Sequence, residues 1–202
     1  MAYFPFFIDI KDRKILIVGG GNVALRKAEK LLPFDAEITF VAPSICYEFS
    51  ELPGVRLVWR NYRDSDLYNA FAVIAATNDR VLNSHIYELC TQLGILVNTV
   101  DDPENCGFYF PAIVKKNNVT VGISTGGKSP VFARYIKEKA ENIFDEKTLA
   151  AGEILAMFRP LIKQKFTTEE QRKNAADALL ERCVKKPELP SESEITELLE
   201  SL

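Results

Sequence analysis

Three consecutive glycines, Gly19-Gly20-Gly21, followed by Asn22-Val23-Ala24, fit the spacing G-x-G-x-x-A. That spacing does chemistry only where an apolar strand precedes it and a helix follows. The chain supplies both. Lys14 to Val18 (KILIV) is a short apolar run, and beyond the turn Ala24, Leu25, Ala28, Leu31 and Leu32 recur at helical spacing. In that setting Gly19 serves the tight turn, Gly21 removes the Cβ that a diphosphate would strike, and Ala24 lets the helix lie close to the sheet. A dinucleotide diphosphate then rests on free N–H groups at the positive helix end. The ribose ordinarily takes an acid at the end of the second strand. Here that end reads Phe40-Val41-Ala42-Pro43-Ser44, with neither an acid nor an arginine. Ser44 or the backbone beside it is left to hold the ribose, and NAD is not distinguished from NADP.

Further candidates lie downstream. Thr77-Asn78-Asp79 follows an apolar run, Phe71 to Ala75, at the strand end where ligands of open α/β sheets bind. Thr77 is read as a cofactor contact; Asn78 serves equally as a contact or as ordinary turn and cap chemistry. Asp101 follows Asn98-Thr99-Val100, straight after another strand. A carboxylate there takes a proton while the cofactor takes a hydride, or it is a plain turn carboxylate before Pro103. Residues 113 to 139 carry Lys115, Lys116, Lys128, Arg134, Lys137 and Lys139 against Glu138 alone, within a chain of net charge -3. With Ser124-Thr125-Gly126-Gly127-Lys128-Ser129-Pro130 opening a helix, they make an anion site suited to a substrate with many carboxylates. Lys137 and Lys139 are assigned instead to a solvated helix face.

These residues need a scaffold. Strands over 14–18, 37–41, 55–59, 71–75 and 96–100 alternate with helices over 23–32 and 80–93, the second stopped by Gly94. This predicts a parallel, doubly wound sheet. After Asp101 the rhythm changes to short strands at 108–110, 113–115 and 119–124, with Asn117-Asn118 as a turn, and a helix from Pro130 to Phe144. From Asp145 onward only helices are expected, one beginning at Thr168 and another at Ser191, with Glu194 at capping-box spacing. The fold class is therefore α/β: a Rossmann-like parallel sheet over 1–112, a middle α+β segment over 113–145 and a helical appendage over 146–202.

Composition bounds the rest. The chain has 202 residues, 47% of them hydrophobic, enough for a core. Its acidic balance speaks against nucleic acid. Cys46, Cys90, Cys106 and Cys183 are scattered and His85 is the lone histidine, so no Cys/His metal site is expected and reduced thiols in the cytoplasm are. Cys106 is read as a small buried residue. The opening MAYFPFFIDIKDRK places its charge after the apolar stretch, unlike a secretory leader, and no run is long enough to cross a membrane.

Phe4-Pro5-Phe6-Phe7, VGGGNVALRKAEKLL, AATND, NTVDDPENCGFYFPA and ISTGGKSP occur in that order over about residues 1–145. Together they resemble the precorrin-2 dehydrogenases, including the N-terminal module of sirohaem synthases and the bifunctional dehydrogenase–ferrochelatases. The resemblance implies NAD-dependent oxidation of precorrin-2 to sirohydrochlorin and a homodimer interlocked through the middle segment. It also implies that Asp101 is the residue needed for oxidation and, in bifunctional members, for insertion of Fe²⁺ or Co²⁺. Cofactor contacts carry over to Asn22, Val23, Pro43 and Ser44. A family serine that is phosphorylated in some members falls on Thr125, beside Ser124, so the sequence departs from the family there. The ring carboxylates are expected on Lys115, Lys128 and the Ser124-Thr125 turn. The methyltransferase domain of full sirohaem synthases is not part of this chain. Two rival readings are a non-catalytic NAD-sensing module and a chelatase without dehydrogenation.

Overall fold

The computed structural model describes residues 4–202, so the first three residues of the apolar N-terminal stretch lie outside the described residues. The chain divides into two compact units, Met1–Pro111 and Ala112–Leu202.

In the first unit, β1 (Lys14–Val18), β2 (Glu37–Ala42), β3 (Arg56–Trp59), β4 (Ala72–Ala75) and β5 (Leu96–Thr99) form one sheet in the order β3-β2-β1-β4-β5. Every pairing is parallel. Helix α1 (Asn22–Leu31) follows β1, and α2 (Arg80–Leu93) joins β4 to β5. The links on either side of β3 carry only short 3-10 turns, Tyr47–Glu51 and Asp64–Leu67. The order reverses at β1, which sends the chain first to β2 and later to β4. That reversal opens a crevice at the carboxyl ends of the strands.

Side chains alternate across a strand, so β1 feeds two core layers. Ile15 and Ile17 pack with Ala24 and Ala28 of α1, Phe40, Phe49 and Ile74. Leu16 and Val18 pack on the opposite face with Val73, Val97 and, from α2, Ile86 and Cys90. Phe40 and Phe49 meet edge to face, their centroids 4.5 Å apart. Helix α2 is bounded as its sequence predicts. The Asp79 carboxylate accepts from the Val81 and Leu82 N–H groups at 2.9 and 3.1 Å, and Gly94 ends the helix in the left-handed region with φ +68°.

The expected strand over Phe108–Phe110 is not formed. The chain touches β5 through one isolated bridge, Asn98 to Cys106, and through the Gly107 N–H donating to the Val97 carbonyl at 2.8 Å. The Phe108 and Phe110 rings, 5.4 Å apart, instead cover the core on the α1 face. The aromatic run that reads as a strand serves this cover instead.

In the second unit, β6 (Ala112–Lys116) and β7 (Val119–Ile123) are antiparallel around Asn117, whose φ is +46°. Then come α3 (Pro130–Glu141), α4 (Glu146–Lys165), α5 (Glu169–Lys185) and α6 (Glu192–Glu200). Helix α3 ends three residues short of Phe144, the expected stop. The last three helices share a core of Ala151, Ile162, Phe166, Ala175, Leu179, Cys183, Ile195 and Leu199. Thr168 with Gln171, and Ser191 with Glu194, form reciprocal capping boxes. Among the described residues no helix is long and apolar enough to cross a membrane.

One buried group is at odds with its surroundings. Thr99, paired to Ala75 across β4 and β5, is 3% exposed, and its hydroxyl has no hydrogen-bond partner among the described residues. A buried hydroxyl without a partner costs more than its methyl equivalent. Thr99→Val should therefore stabilise the protein by about 1 kcal/mol, read as a higher midpoint in urea at unchanged slope.

Candidate functional site

Gly19 leaves β1 with φ +131°, and a Cβ on it would lie 2.2 Å from the Ala76 carbonyl oxygen. Gly20 is confined from the other side, where a Cβ would lie 2.0 Å from the Ser44 carbonyl oxygen. Only glycine allows the ends of β1, β2 and β4 to come this close. The approach is fastened by the Gly19 N–H donating to Val41 O at 3.0 Å, Ala76 N–H to Val18 O at 2.8 Å and Cys46 N–H to Gly20 O at 3.1 Å. Sequence alone assigns Gly20 no role; its fit against Ser44 shows that it sets the path of the loop after β2.

Gly21 differs. A Cβ on it would meet nothing within 4 Å, so the protein's own packing does not demand glycine there. Gly21 is the N-cap of α1, no side chain caps that helix, and its first turn carries no acidic residue. The first backbone bond runs from Leu25 N–H to Gly21 O at 3.2 Å. The N–H groups of Asn22, Val23 and Ala24 thus head a helix whose positive end faces open space. Asn22 and Val23 are exposed, as are Pro43 and Ser44. An open glycine cradle with uncapped donors fits a diphosphate.

The Thr77 loop lies against this turn, because Ala76 and Thr77 are the backbone that a Gly19 side chain would strike. The Thr77 hydroxyl, however, donates to Asn83 Oδ1 at 2.7 Å. Asn83 Nδ2 donates to Thr77 O at 3.0 Å, and Asn83 is 4% exposed. Thr77 ties its loop to α2 before it offers anything outward. Asn78 is exposed.

Asp101 is exposed on a turn beyond β5 with φ +58°, a conformation that aspartate tolerates better than most residues. The turn is held from inside. The Cys106 thiol donates to Thr99 O (3.1 Å) or Asp102 O (3.2 Å) and accepts from Thr99 N–H (3.3 Å). Asp102 accepts from Asn105 Nδ2 at 2.7 Å. Burial pushes the Cys106 thiol above its ordinary pKa, so it rests as a half-buried structural thiol.

Lys27 is the residue that sequence reading missed. It projects from α1, the helix opened by the glycine turn, and its Nζ donates to Asn98 Oδ1 at 3.1 Å while standing 4.2 Å from the centre of the Phe110 ring. Asn98 is 4% exposed and donates through Nδ2 to Phe108 O at 2.9 Å. Burial first, and Lys30 second, pull the Lys27 pKa down to about 8, against the raising effect of Cys106 and Asp101. The available signal was its position on the edge of the helix stripe defined by Ala24 and Ala28.

In the second unit, Ser124, Thr125 and Lys128 share one turn. The Thr125 hydroxyl donates to Ser129 O at 3.1 Å and accepts from Ser129 N–H at 3.2 Å. Ser124 Oγ accepts from Gly126 N–H at 3.2 Å, and Ser129 Oγ caps α3 through Phe132 N–H at 3.3 Å. This turn meets many of its own backbone donors, unlike the turn at Gly21. Lys128 is exposed, and the half-buried Lys115 on β6 donates to Asn117 O. His85 pairs with Asp64 at 2.9 Å on the surface of the first unit. Among the described residues no three His, Cys, Asp or Glu side chains gather as a metal site.

Two contrasts are testable here. Gly20→Ala should cost roughly 2–3 kcal/mol of stability, because the Ser44 backbone must move. Gly21→Ala should leave the melting temperature nearly unchanged yet weaken dinucleotide binding at least about tenfold, read by calorimetric titration. Lys27→Met should stabilise the fold by about 1–2 kcal/mol at pH 7, where wild type holds a buried charge. That gain should shrink from pH about 8 up to 10.5, where the unfolded chain keeps a proton that the folded one has lost.

Comparison with known proteins accords with this geometry. A family model described as "Putative NAD(P)-binding" matches residues 6–112, and one described as "Sirohaem biosynthesis protein central" matches residues 117–142. A siroheme synthase of Thioalkalivibrio sulfidiphilus is 38% identical over 90% of this chain, and that of Photorhabdus laumondii 40% over 86%. In both cases the match takes in 38% of the relative, so this chain spans well under half their length. The solved structure of SirC, precorrin-2 dehydrogenase, has a TM-score of 0.74 and 25% identity, with 98% of each chain covered. With residues 6–112 accounting for more than half of its length, this chain belongs to the NAD(P)-binding family that the first model describes.

Proposed function

We propose that this chain oxidises precorrin-2 to sirohydrochlorin with NAD. The reading is carried by one observation: the uncapped glycine cradle of α1 and the Asp101 turn belong to one unit, linked through the Lys27 side chain. The likeness to SirC along the whole chain and to the siroheme synthases supports the choice of substrate.

When bound, NAD supplies the hydride acceptor. The N–H groups of Asn22 and Val23 hold the diphosphate, Gly21 gives it room, and Gly19 keeps the turn tight. Pro43 and Ser44 border the adenosine ribose. Between Ala42 and Cys46 there is neither a basic side chain for a 2′-phosphate nor an acid for the ribose hydroxyls, so the choice of NAD rests on the likeness to the precorrin-2 dehydrogenase. Thr77 holds the rim of the crevice. Asp101 accepts the proton that leaves as the hydride departs, so the ring loses two electrons and two hydrogens while the carboxylate passes its proton on to solvent. Lys115, Ser124, Thr125 and Lys128 are assigned to the ring carboxylates. Asp101 would serve a metal-inserting reaction as well, taking pyrrole N–H protons as Fe²⁺ or Co²⁺ enters as substrate.

A homodimer built through residues 113–145, with 146–202 as a helical appendage, belongs to the same proposal. Val131, Phe132, Tyr135 and Ile143 are exposed apolar side chains in that segment, as an interface would require. A cytoplasmic location accords with four free cysteines.

The test is anaerobic incubation with precorrin-2 and NAD, following sirohydrochlorin absorbance, then addition of Fe²⁺ or Co²⁺. Asp101→Ala should lower the oxidation rate by at least about 100-fold while leaving the NAD dissociation constant within about twofold. Binding of NAD with no turnover by wild type would replace this reading with that of a sensing module.

A further inference from the structure

A half-buried cation on the helix that follows the glycine turn needs an explanation, because α1 would pack more favourably with an apolar side chain at that position. Lys27 instead joins two parts of the first unit. Its Nζ donates to Asn98 Oδ1 at 3.1 Å. Asn98 in turn donates to Phe108 O at 2.9 Å and to Cys106 Sγ at 3.5 Å. Cys106 reaches Thr99 O and Asp102 O, the two backbone groups that bracket the turn bearing Asp101. The ammonium also stands 4.2 Å from the Phe110 ring centre, which fixes the far side of the same loop. One chain of contacts thus runs from α1 to the Asp101 turn.

We propose that Lys27 is a positioning residue that ties the dinucleotide-binding helix to the Asp101 turn, and that its ammonium must be protonated for oxidation to proceed. It acts through Asn98 and through its charge, without touching the reacting atoms. The charged or titratable groups facing it are Lys30 on its own helix and Asp101 and Cys106 from the loop beyond β5. Lys30 opposes its charge and the Asp101 carboxylate supports it, while Cys106 adds support only once it is ionised. Loss of the proton would weaken the bond to Asn98 and remove the cation from the Phe110 face, loosening the turn. The direction of the Lys27 shift, downward to about 8, puts this loss within reach of ordinary buffers. The rate arm rests on the oxidation proposed above; the binding and titration arms do not.

The experiment compares wild type, Lys27→Arg and Lys27→Met. Wild-type kcat is expected to fall along a one-proton limb above pH about 8, with the NAD dissociation constant unchanged across that limb. Lys27→Met should lose about tenfold in kcat at pH 7, with little change in KM and no such limb. Lys27→Arg should restore most of kcat and keep activity to higher pH, because guanidinium stays charged. In parallel, ¹⁵N-lysine NMR on the protein without substrate should show Lys27 titrating below the ordinary lysine value, and lower still in Asp101→Asn. Wild-type kcat and limb in Lys27→Met would overturn the rate claim, and a Lys27 titration unmoved by Asp101→Asn would overturn the link. If wild type oxidised no precorrin-2, the proposed function and the rate claim would fall together, while the NMR arm would still decide the link.

Discussion

The close backbone approach at Gly19 and Gly20 is the constraint on which the rest of the first unit depends. Two carbonyl oxygens, those of Ala76 and Ser44, occupy the volume where side chains of any other residue would begin. Because the ends of β1, β2 and β4 converge there, the loops after β2 and β4 are drawn to the mouth of the crevice. Helix α1 then starts where three strand ends meet, with its positive end outward and no side chain spent on capping it. Elsewhere the chain caps its helices carefully: Asp79, Ser129, Asp145, Thr168 and Ser191 each accept from first-turn N–H groups. The exception at α1 is where an external anion belongs.

The Asp101 turn shows a different economy. Its carboxylate is exposed, but its backbone is held by a thiol, an amide and a buried asparagine. Proteins that depart from the apolar rule in this way tend to do so where a group must be held in place. Lys27 is such a departure, with its charge retained in a setting that disfavours it. Burial of Asn98 makes the link stiff, since a buried amide that lost its partners could not turn to water instead.

The second unit stands on its own interactions. The helices beyond residue 145 bury a continuous stripe drawn from all three, and α4 runs through Pro160 without breaking. The glycine turn before α3 is closed by Thr125 and Ser129. Phosphate on Thr125 would remove the hydroxyl hydrogen it donates to Ser129 O, so modification there would loosen the turn as well as add charge.

Several features were decided by local sequence. The G-x-G-x-x-A turn, the Asp79 and Gly94 ends of α2, the capping boxes at Thr168 and Ser191, and the strands from KILIV onward depend on neighbours within a few residues, and the local order of residues carries that information. The motif segments also carried the family and hence the expectation for Asp101. Tertiary structure decided what depends on distant partners. Phe108 to Phe110 has the aromatic content of a strand but covers a core, and its neighbourhood touches β5 through a single bridge. Gly20 reads as a spacer until Ser44 is placed beside it, and the tie from the Thr77 hydroxyl to Asn83 exists only once α2 is in place. Lys27 reads as one more surface cation in a charged helix. Only folding brings Asn98, 71 residues away, to its ammonium, and a burial cost set by packing cannot be seen in a one-dimensional pattern.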